Sequence, residues 1–320
     1  MRPALLVVFF AVLTARGHAQ AVDALIDSYQ RGQYQAAADG FAAQARKMPE
    51  DANVSLWAGK SLFKLRRWND AVRAFERTVA LKPQDGAAHL WLARAIGRKA
   101  ENAFFTSAFG LARESCREFE AAVRLDPNNL DARFDLLDFY IQAPGIVGGG
   151  RDKAEAQARA IAGMAPRAGY AARAEILNAD KNWNAALAEL VEATAKYPKD
   201  AEGFLDLSEF QRDRLDRGLE AEANAQKALA LDGNSRRAIL CLAAAQVQLR
   251  RNIPEALKNL KRLAAGPLTD GDPSFEEVYY WIGAALLVQN DKMEARRAFQ
   301  TSLGFDPDYR RSKDALAKFR

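Results

Sequence analysis

The chain is expected to be an all-α solenoid of stacked antiparallel helix pairs. Three observations point there. The stretch from Val54 to Pro83 carries small or apolar residues at Val54, Trp57, Ala58, Ser61, Leu62 and Leu65, then at Ala71, Val72, Phe75 and Val79. Both sets follow the i, i+3, i+4, i+7 spacing of an amphipathic helix. A polar break, Arg66, Arg67 and Asn69, separates them. Two helices with one apolar face each cannot close a core, so they must stack on further copies of the same unit. The punctuation between such units also recurs: Pro49-Glu50-Asp51, Pro83-Gln84-Asp85, Pro127-Asn128-Asn129, Pro198-Lys199-Asp200, Asp232-Gly233-Asn234 and Pro307-Asp308. Proline ends the helix before it, and the Asp or Asn after it caps the next.

In chain order, the N-terminus reads as a targeting segment. Arg2 precedes an apolar run from Ala4 to Val12, followed by small residues at Gly17, Ala19 and Ala21. That pattern predicts a signal peptide over residues 1–19 and an exported, periplasmic protein; an uncleaved N-terminus that tethers the chain to a membrane is the alternative. No cysteine lies near the cleavage site to carry a lipid. The run is shorter than the ~20 residues a spanning helix needs. Removing residues 1–19 takes away Arg2 and Arg16 and no acid, so the net charge falls from +5 to +3. That charge is too mild to argue for nucleic acid as a partner. The two cysteines, Cys116 and Cys241, stand several units apart. Repeats touch only their neighbours, so both are expected to be buried free thiols.

The prolines at 49 and 83 lie 34 residues apart; Ala71, Phe75 and Pro83 recur in register as Ala37, Phe41 and Pro49, in a unit that also carries Gly32 and Tyr34, and Gly59, Ala71, Phe75 and Pro83 recur as Gly283, Ala295, Phe299 and Pro307. This 34-residue pattern resembles the tetratricopeptide repeat family. The resemblance covers essentially residues 23–307. It implies a right-handed superhelix of about eight units, starting near residues 20, 52, 86, 130, 167, 201, 236 and 275, with a capping helix over 308–320. It also implies a non-catalytic scaffold that binds a protein or peptide partner in a concave groove, with no cofactor and no metal.

Projecting the family's inner-face spacing onto the chain gives candidate groove residues. These are Lys60, Phe63 and Lys64, then Arg94 and Arg98, then Asp131, Phe134 and Asp138, then Glu175, then Glu202, Leu205 and Glu209, and last Tyr280 and Leu287. The groove is thus expected to be basic near its N-terminal end and acidic in its middle, which would orient a charged partner. The Lys–Asn–Asn set with which some family members clamp a peptide carboxylate is missing. The matching places hold Leu56 with Lys60, and Ala171 with Glu175.

Two adjacent units depart from the pattern, at residues 101–110 and 143–150, between their helices. Their apolar residues, Phe104, Phe105, Phe109, Ile146 and Val147, form a second candidate site. Two readings fit the aromatic cluster, an exposed knob for a partner or packing beneath the neighbouring insert, and Ile146 and Val147 favour packing. Gly145 to Gly150 lacks the Lys-Ser/Thr and the preceding strand of a phosphate loop. Residues 266–273 read as an inter-repeat loop. Catalysis has little to draw on: His89 is the one histidine beyond the predicted cleavage site, and no cysteine pair has zinc spacing.

Overall fold

The computed structural model describes residues 18–319; most of the predicted signal segment lies outside them. Every regular element among the described residues is a helix. Contacts divide the described residues into two compact units, one ending at Pro127 and one beginning at Asn128.

The first unit holds α1 (residues 18–30), α2 (Tyr34–Lys47), α3 (Ala52–Lys64), α4 (Trp68–Leu81), α5 (Gly86–Glu101) and α6 (Phe105–Leu125). The second holds α7 (Leu130–Gln142), a single 3₁₀ turn (Gly145–Val147), α8 (Arg151–Met164), α9 (Pro166–Ala179) and α10 (Trp183–Lys196). It continues with α11 (Ala201–Arg214), α12 (Gly218–Leu231), α13 (Arg236–Gln248), α14 (Ile253–Ala265), α15 (Phe275–Val288), α16 (Lys292–Phe305) and α17 (Arg310–Ala317). Within each unit every helix packs on the one before it and the one after it, as antiparallel pairs do. In unit 2 the odd-numbered helices α7, α9, α11, α13 and α15 also touch in succession. They form one wall and the even-numbered helices the other.

The helix starts are built as the punctuation implies. Asp51 accepts from the amides of Asn53 and Val54, Asp85 from Ala87 and Ala88, Asn129 from Ala132, and Asp200 from Glu202. Each cap answers amides the helix leaves unpaired and is worth about 1 kcal/mol. At α13 the cap is Ser235 rather than a residue of the Asp232-Gly233-Asn234 run.

The turns inside the pairs share one backbone device. Arg66, Lys181, Asp216, Arg250 and Asn290 all sit in the left-handed region, with φ between 53° and 64°. In the turn at Arg66, its amide reaches Phe63 O and the Arg67 amide reaches Leu62 O; the same pair of bonds recurs at Lys181, Arg250 and Asn290. This Schellman closure satisfies the last carbonyls of the first helix and reverses the chain in three residues.

The core is a series of local clusters rather than one centre. In unit 1, Ala71, Val72 and Phe75 of α4 meet Trp91, Leu92, Ala95 and Ile96 of α5. In unit 2, Phe204 and Leu205 meet Ala225 and Ala228 of α12 and Ala238 and Cys241 of α13. Gly59 lets α3 approach α4 closely: a Cβ there would stand 2.5 Å from the Phe75 ring. Gly283 and Phe299 repeat the arrangement at 2.7 Å. Buried serine hydroxyls tie three pairs across the same contact, Ser115 to Ala93 O, Ser208 to Ala221 O and Ser302 to Glu276 O, at 2.9, 2.7 and 2.7 Å. Cys116 and Cys241 are buried free thiols.

The two departures differ from each other. Residues 105–110 are not loop: they extend α6 to 21 residues against 16 in α5. Residues 143–150 do leave the helix. Gly148 and Gly150 have φ of 108° and 143°, and a Cβ at Gly149 would collide with the Ala143 carbonyl. The three glycines thus serve a tight chain reversal. The Lys153 ammonium covers its carbonyl at Gly148, and the Gly150 amide donates to Tyr140 O.

Candidate functional site

Three of the basic groove candidates of unit 1, Lys60, Lys64 and Arg94, are engaged by aromatic rings. Lys60 is buried, its ammonium 4.2 Å from the Trp57 ring centroid and 4.8 Å from that of Trp91. The Arg94 guanidinium lies 4.8 Å from the Trp91 centroid, and the Lys64 ammonium 6.0 Å from that of Tyr34. Phe63 packs edge-on against Trp68 and Trp91. A cation over a ring face is attracted by the ring's quadrupole, more so when desolvated. These side chains therefore join the stacking of α3 on α5. Arg98 is exposed and pairs with Glu101 at 2.9 Å.

In unit 2, Asp131 and Asp138 are exposed on α7 and Phe134 is half-buried. Asp138 accepts from the Gln142 amide group at 2.5 Å. Leu205 is fully buried in the α11–α12 core, so it is closed to a partner although it flanks Glu202 and Glu209 on α11. Tyr280 packs against Trp281, Phe299 and Tyr309, and Leu287 is exposed. In the second candidate site, Phe104 and Phe105 are 90% and 77% exposed, where the sequence favours packing, and Phe109 is half-buried with its ring edge-on to Phe105. Ile146 is exposed, whereas Val147 is buried beneath the glycine turn.

The most connected charge is Arg237, at the start of α13, absent from the residues the sequence nominates. Its guanidinium donates to Glu202 at 2.6 Å, to Asp206 at 2.9 Å, and to both oxygens of Glu209 at 2.9 and 2.7 Å. The three carboxylates stand at i, i+4 and i+7 on one face of α11. Arg167 of α9 reaches the other Asp206 oxygen at 2.6 Å, so Asp206 bridges α9 and α13. Burial opposes ionisation of Glu209, but the Arg237 hydrogen bonds and charge outweigh it and hold the carboxyl below its ordinary range. At Asp206 burial wins and its pKa is raised. A legible signal existed: Arg236-Arg237 opens α13 at the place where Ala201-Glu202 opens α11, a reversal of charge between consecutive repeats. Further along the same wall, Asp213 takes Arg212 from its own helix and Arg311 from α17, which anchors the terminal helix to α11.

Glu175 is different. No ion pair reaches it among the described residues. It lines a cavity of about 240 Å³ with Asp206, Glu209, Asp213 and Arg237, walled by α9, α10, α11 and α13. Its side chain is open to solvent. The surrounding protein still strips part of its hydration, and Asp138, Asp206 and Asp135 repel its charge, pushing its pKa up to about 8. A larger cavity, about 830 Å³, lies elsewhere in unit 2, by the α13 N-terminus. There Arg236 and Arg237 are already paired with Asp272 and Glu202. No group of three or more His, Cys, Asp or Glu side chains among the described residues could hold a metal ion. His89 bridges Glu118 and the Pro83 carbonyl at 2.6 and 3.1 Å, a tie between α5 and its neighbours.

No protein-family model matches the chain, and no curated protein matches it. Among solved structures, yeast Tom70 superposes with a TM-score of 0.58 at 18% identity; the match covers 90% of this chain and 58% of that one. A thermophilic TPR protein of Thermus thermophilus gives 0.46 at 19% identity, covering 72% of this chain and 99% of the other. The Cut9–Hcn1 assembly of the APC/C gives 0.47 at 16%, covering 91% and 53%. The chain thus spans little more than half the length of Tom70, and the likeness is one of fold: a tetratricopeptide-like helical repeat.

Proposed function

We propose that the protein is a non-catalytic interaction scaffold that holds a basic segment of a partner protein along the carboxylate-bearing wall of α7, α9 and α11. The observation that carries this reading is Glu175, a carboxyl with no ion pair among the described residues, whose charge Asp138, Asp206 and Asp135 repel, in a cavity that it shares with three further carboxylates and with Arg214 and Arg237. A lysine or arginine side chain placed there relieves like-charge repulsion as well as making an ion pair. The neighbouring Arg237 network holds α9, α11 and α13 in fixed register, so the wall needs no rearrangement to accept a chain. The basic half of the predicted groove contributes less to this reading, because its cations are stacked on aromatic rings.

The test uses labelled peptides of equal length, one lysine-rich and one glutamate-rich, titrated against the full chain. The lysine-rich peptide should bind, and its affinity should fall as salt rises. Glu175→Lys with Asp138→Lys should weaken it about tenfold or more, mainly through slower association. Equal binding of the acidic peptide, or indifference to the double substitution, would sink the reading.

Export completes the proposal, with residues 1–19 as the signal peptide. Residues 18 and 19 belong to α1, and His18 Nε2 stands 3.0 Å from Asp51. N-terminal sequencing of the mature protein decides the point: a start at Met1 would favour the membrane-tethered alternative.

A further inference from the structure

The stacking order of unit 1 puts three turns at the same end: the turn between α1 and α2, that between α3 and α4, and that between α5 and α6. Because successive helices alternate in direction, the turns at residues 48–51 and 82–85 lie at the other end. The shared end is rich in cations. Arg31 stands on the first turn, Arg66 and Arg67 on the second, and Arg98 and Lys99 in the last turn of α5, just before the third. Its carboxylates are already engaged, Asp27 with Arg31, Asp70 with Arg67 and Glu101 with Arg98, at 2.8, 2.7 and 2.9 Å. Cations therefore outnumber acids along this edge.

The same edge carries the overhang of α6. Gly86, which opens α5, lies against Ala122 and Asp126 at the far end of α6, so those two ends are in register. The five extra residues of α6 must then project at the near end, by about 7 Å at 1.5 Å per residue. Phe104 and Phe105 cap the projection, 90% and 77% exposed, with Phe109 edge-on behind Phe105 at 4.8 Å between centroids. Placing two large aromatic side chains in water at the tip of a helix forfeits the burial that phenylalanine normally gains.

We infer that this edge of unit 1 docks on an anionic phospholipid surface, with Phe104 and Phe105 inserted among the headgroups and the flanking arginines and Lys99 on the lipid phosphates. Two features favour a bilayer over a second protein. The aromatic group is convex and projecting, and a fluid interface accepts such a wedge without a preformed complementary pocket. The cations stand at or just before three separate turns at one edge, an arrangement that meets a flat field of negative charge, to which each lysine or arginine near the surface adds attraction. This inference is independent of the acidic wall of unit 2.

Sedimentation of the full chain with lipid vesicles tests it. The chain should pellet with vesicles containing phosphatidylglycerol and much less with pure phosphatidylcholine. Phe104→Ser with Phe105→Ser should lower the partition onto the anionic vesicles at least tenfold. Lys99→Glu with Arg67→Glu should lower it by a similar factor and flatten its dependence on salt. Circular dichroism checks that both double variants remain folded; Phe104, Phe105 and Arg67 are exposed, and Lys99 is half-buried in the last turn of α5. Three results overturn the inference: no binding to either vesicle, equal binding to both, or binding that survives Phe104→Ser/Phe105→Ser. The last would assign lipid binding to the apolar run at residues 4–12. Loss of a protein partner by the aromatic variant, without any vesicle binding by the parent, would also overturn it, by making the knob a protein contact.

Discussion

Glu175 and Lys60 illustrate how a charge acquires its role from neighbours that the linear sequence separates. Lys60 is a cation by sequence, and Trp57 three residues earlier is a visible local partner. Trp91, which closes the other side, comes from the next repeat and becomes legible only in the fold. The same limit hid Arg237, whose three carboxylates lie 28 to 35 residues away. For Glu175 the sequence conveys negative charge and misses the crowding. Burial by the surrounding helices, then Asp138, Asp206 and Asp135, raises its pKa in the folded state to about 8, above the ordinary 4.5. A carboxyl shifted upward costs nothing below its unfolded pKa, where both states are protonated. The penalty grows as pH climbs from about 4.5 toward 8 and is constant above. Glu175→Gln should therefore leave the melting temperature unchanged near pH 4 and raise it at pH 8. Solvent access limits the gain to about 1 kcal/mol or less. An equal change at both pH values would contradict the assignment.

At the scale of the element, the helix pair was the most legible feature, because its apolar spacing and its Pro-x-Asp punctuation both act locally. Gly59 and Phe75 are sixteen positions apart, and their contact defines the crossing of α3 on α4. Gly59→Ala should destabilise unit 1 by about 1–3 kcal/mol through overpacking against the Phe75 ring. Chemical denaturation reads this directly, and a neutral result would mean the pair can separate at little cost. The stretch 101–110 was less legible. Phe104, Phe105 and Gly110 suggest a loop, since they interrupt the apolar period. Yet α6 is nucleated and packed farther along, and extending an existing helix by a turn or two avoids the cost of starting one. Helix growth from a fixed neighbour is not written in the residues that join it.

For the molecule as a whole, the sequence reading is one array of repeats, and the contacts group the described residues into two compact units that meet in the chain at Pro127–Asn128. A series of similar helix pairs looks continuous in sequence, because each junction carries the same proline and the same cap. Each unit has its own clusters of buried side chains, so each is expected to fold without the other. Residues 128–320 produced alone should be helical by circular dichroism and unfold cooperatively. A fragment without a melting transition would refute the division.

Five pairs turn through a left-handed residue that reverses the chain in three positions, and a sixth does so through Gly32. The pairs α5–α6 and α7–α8 lack that closure; the first is joined by residues 102–104 and the second by the longer stretch 143–150. For site-specific labelling this distinction is practical. A peptide epitope or a fluorophore-bearing loop placed at residue 66, 181 or 250 would break a hydrogen-bonded reversal. The bond between Gly145 and Ile146 is bordered by an exposed side chain, while Val147 and the Gly150–Tyr140 bond anchor the chain just beyond. An insertion there would open the single 3₁₀ turn, in which the Val147 and Gly148 amides donate to Pro144 O and Gly145 O, and none of the α-helices.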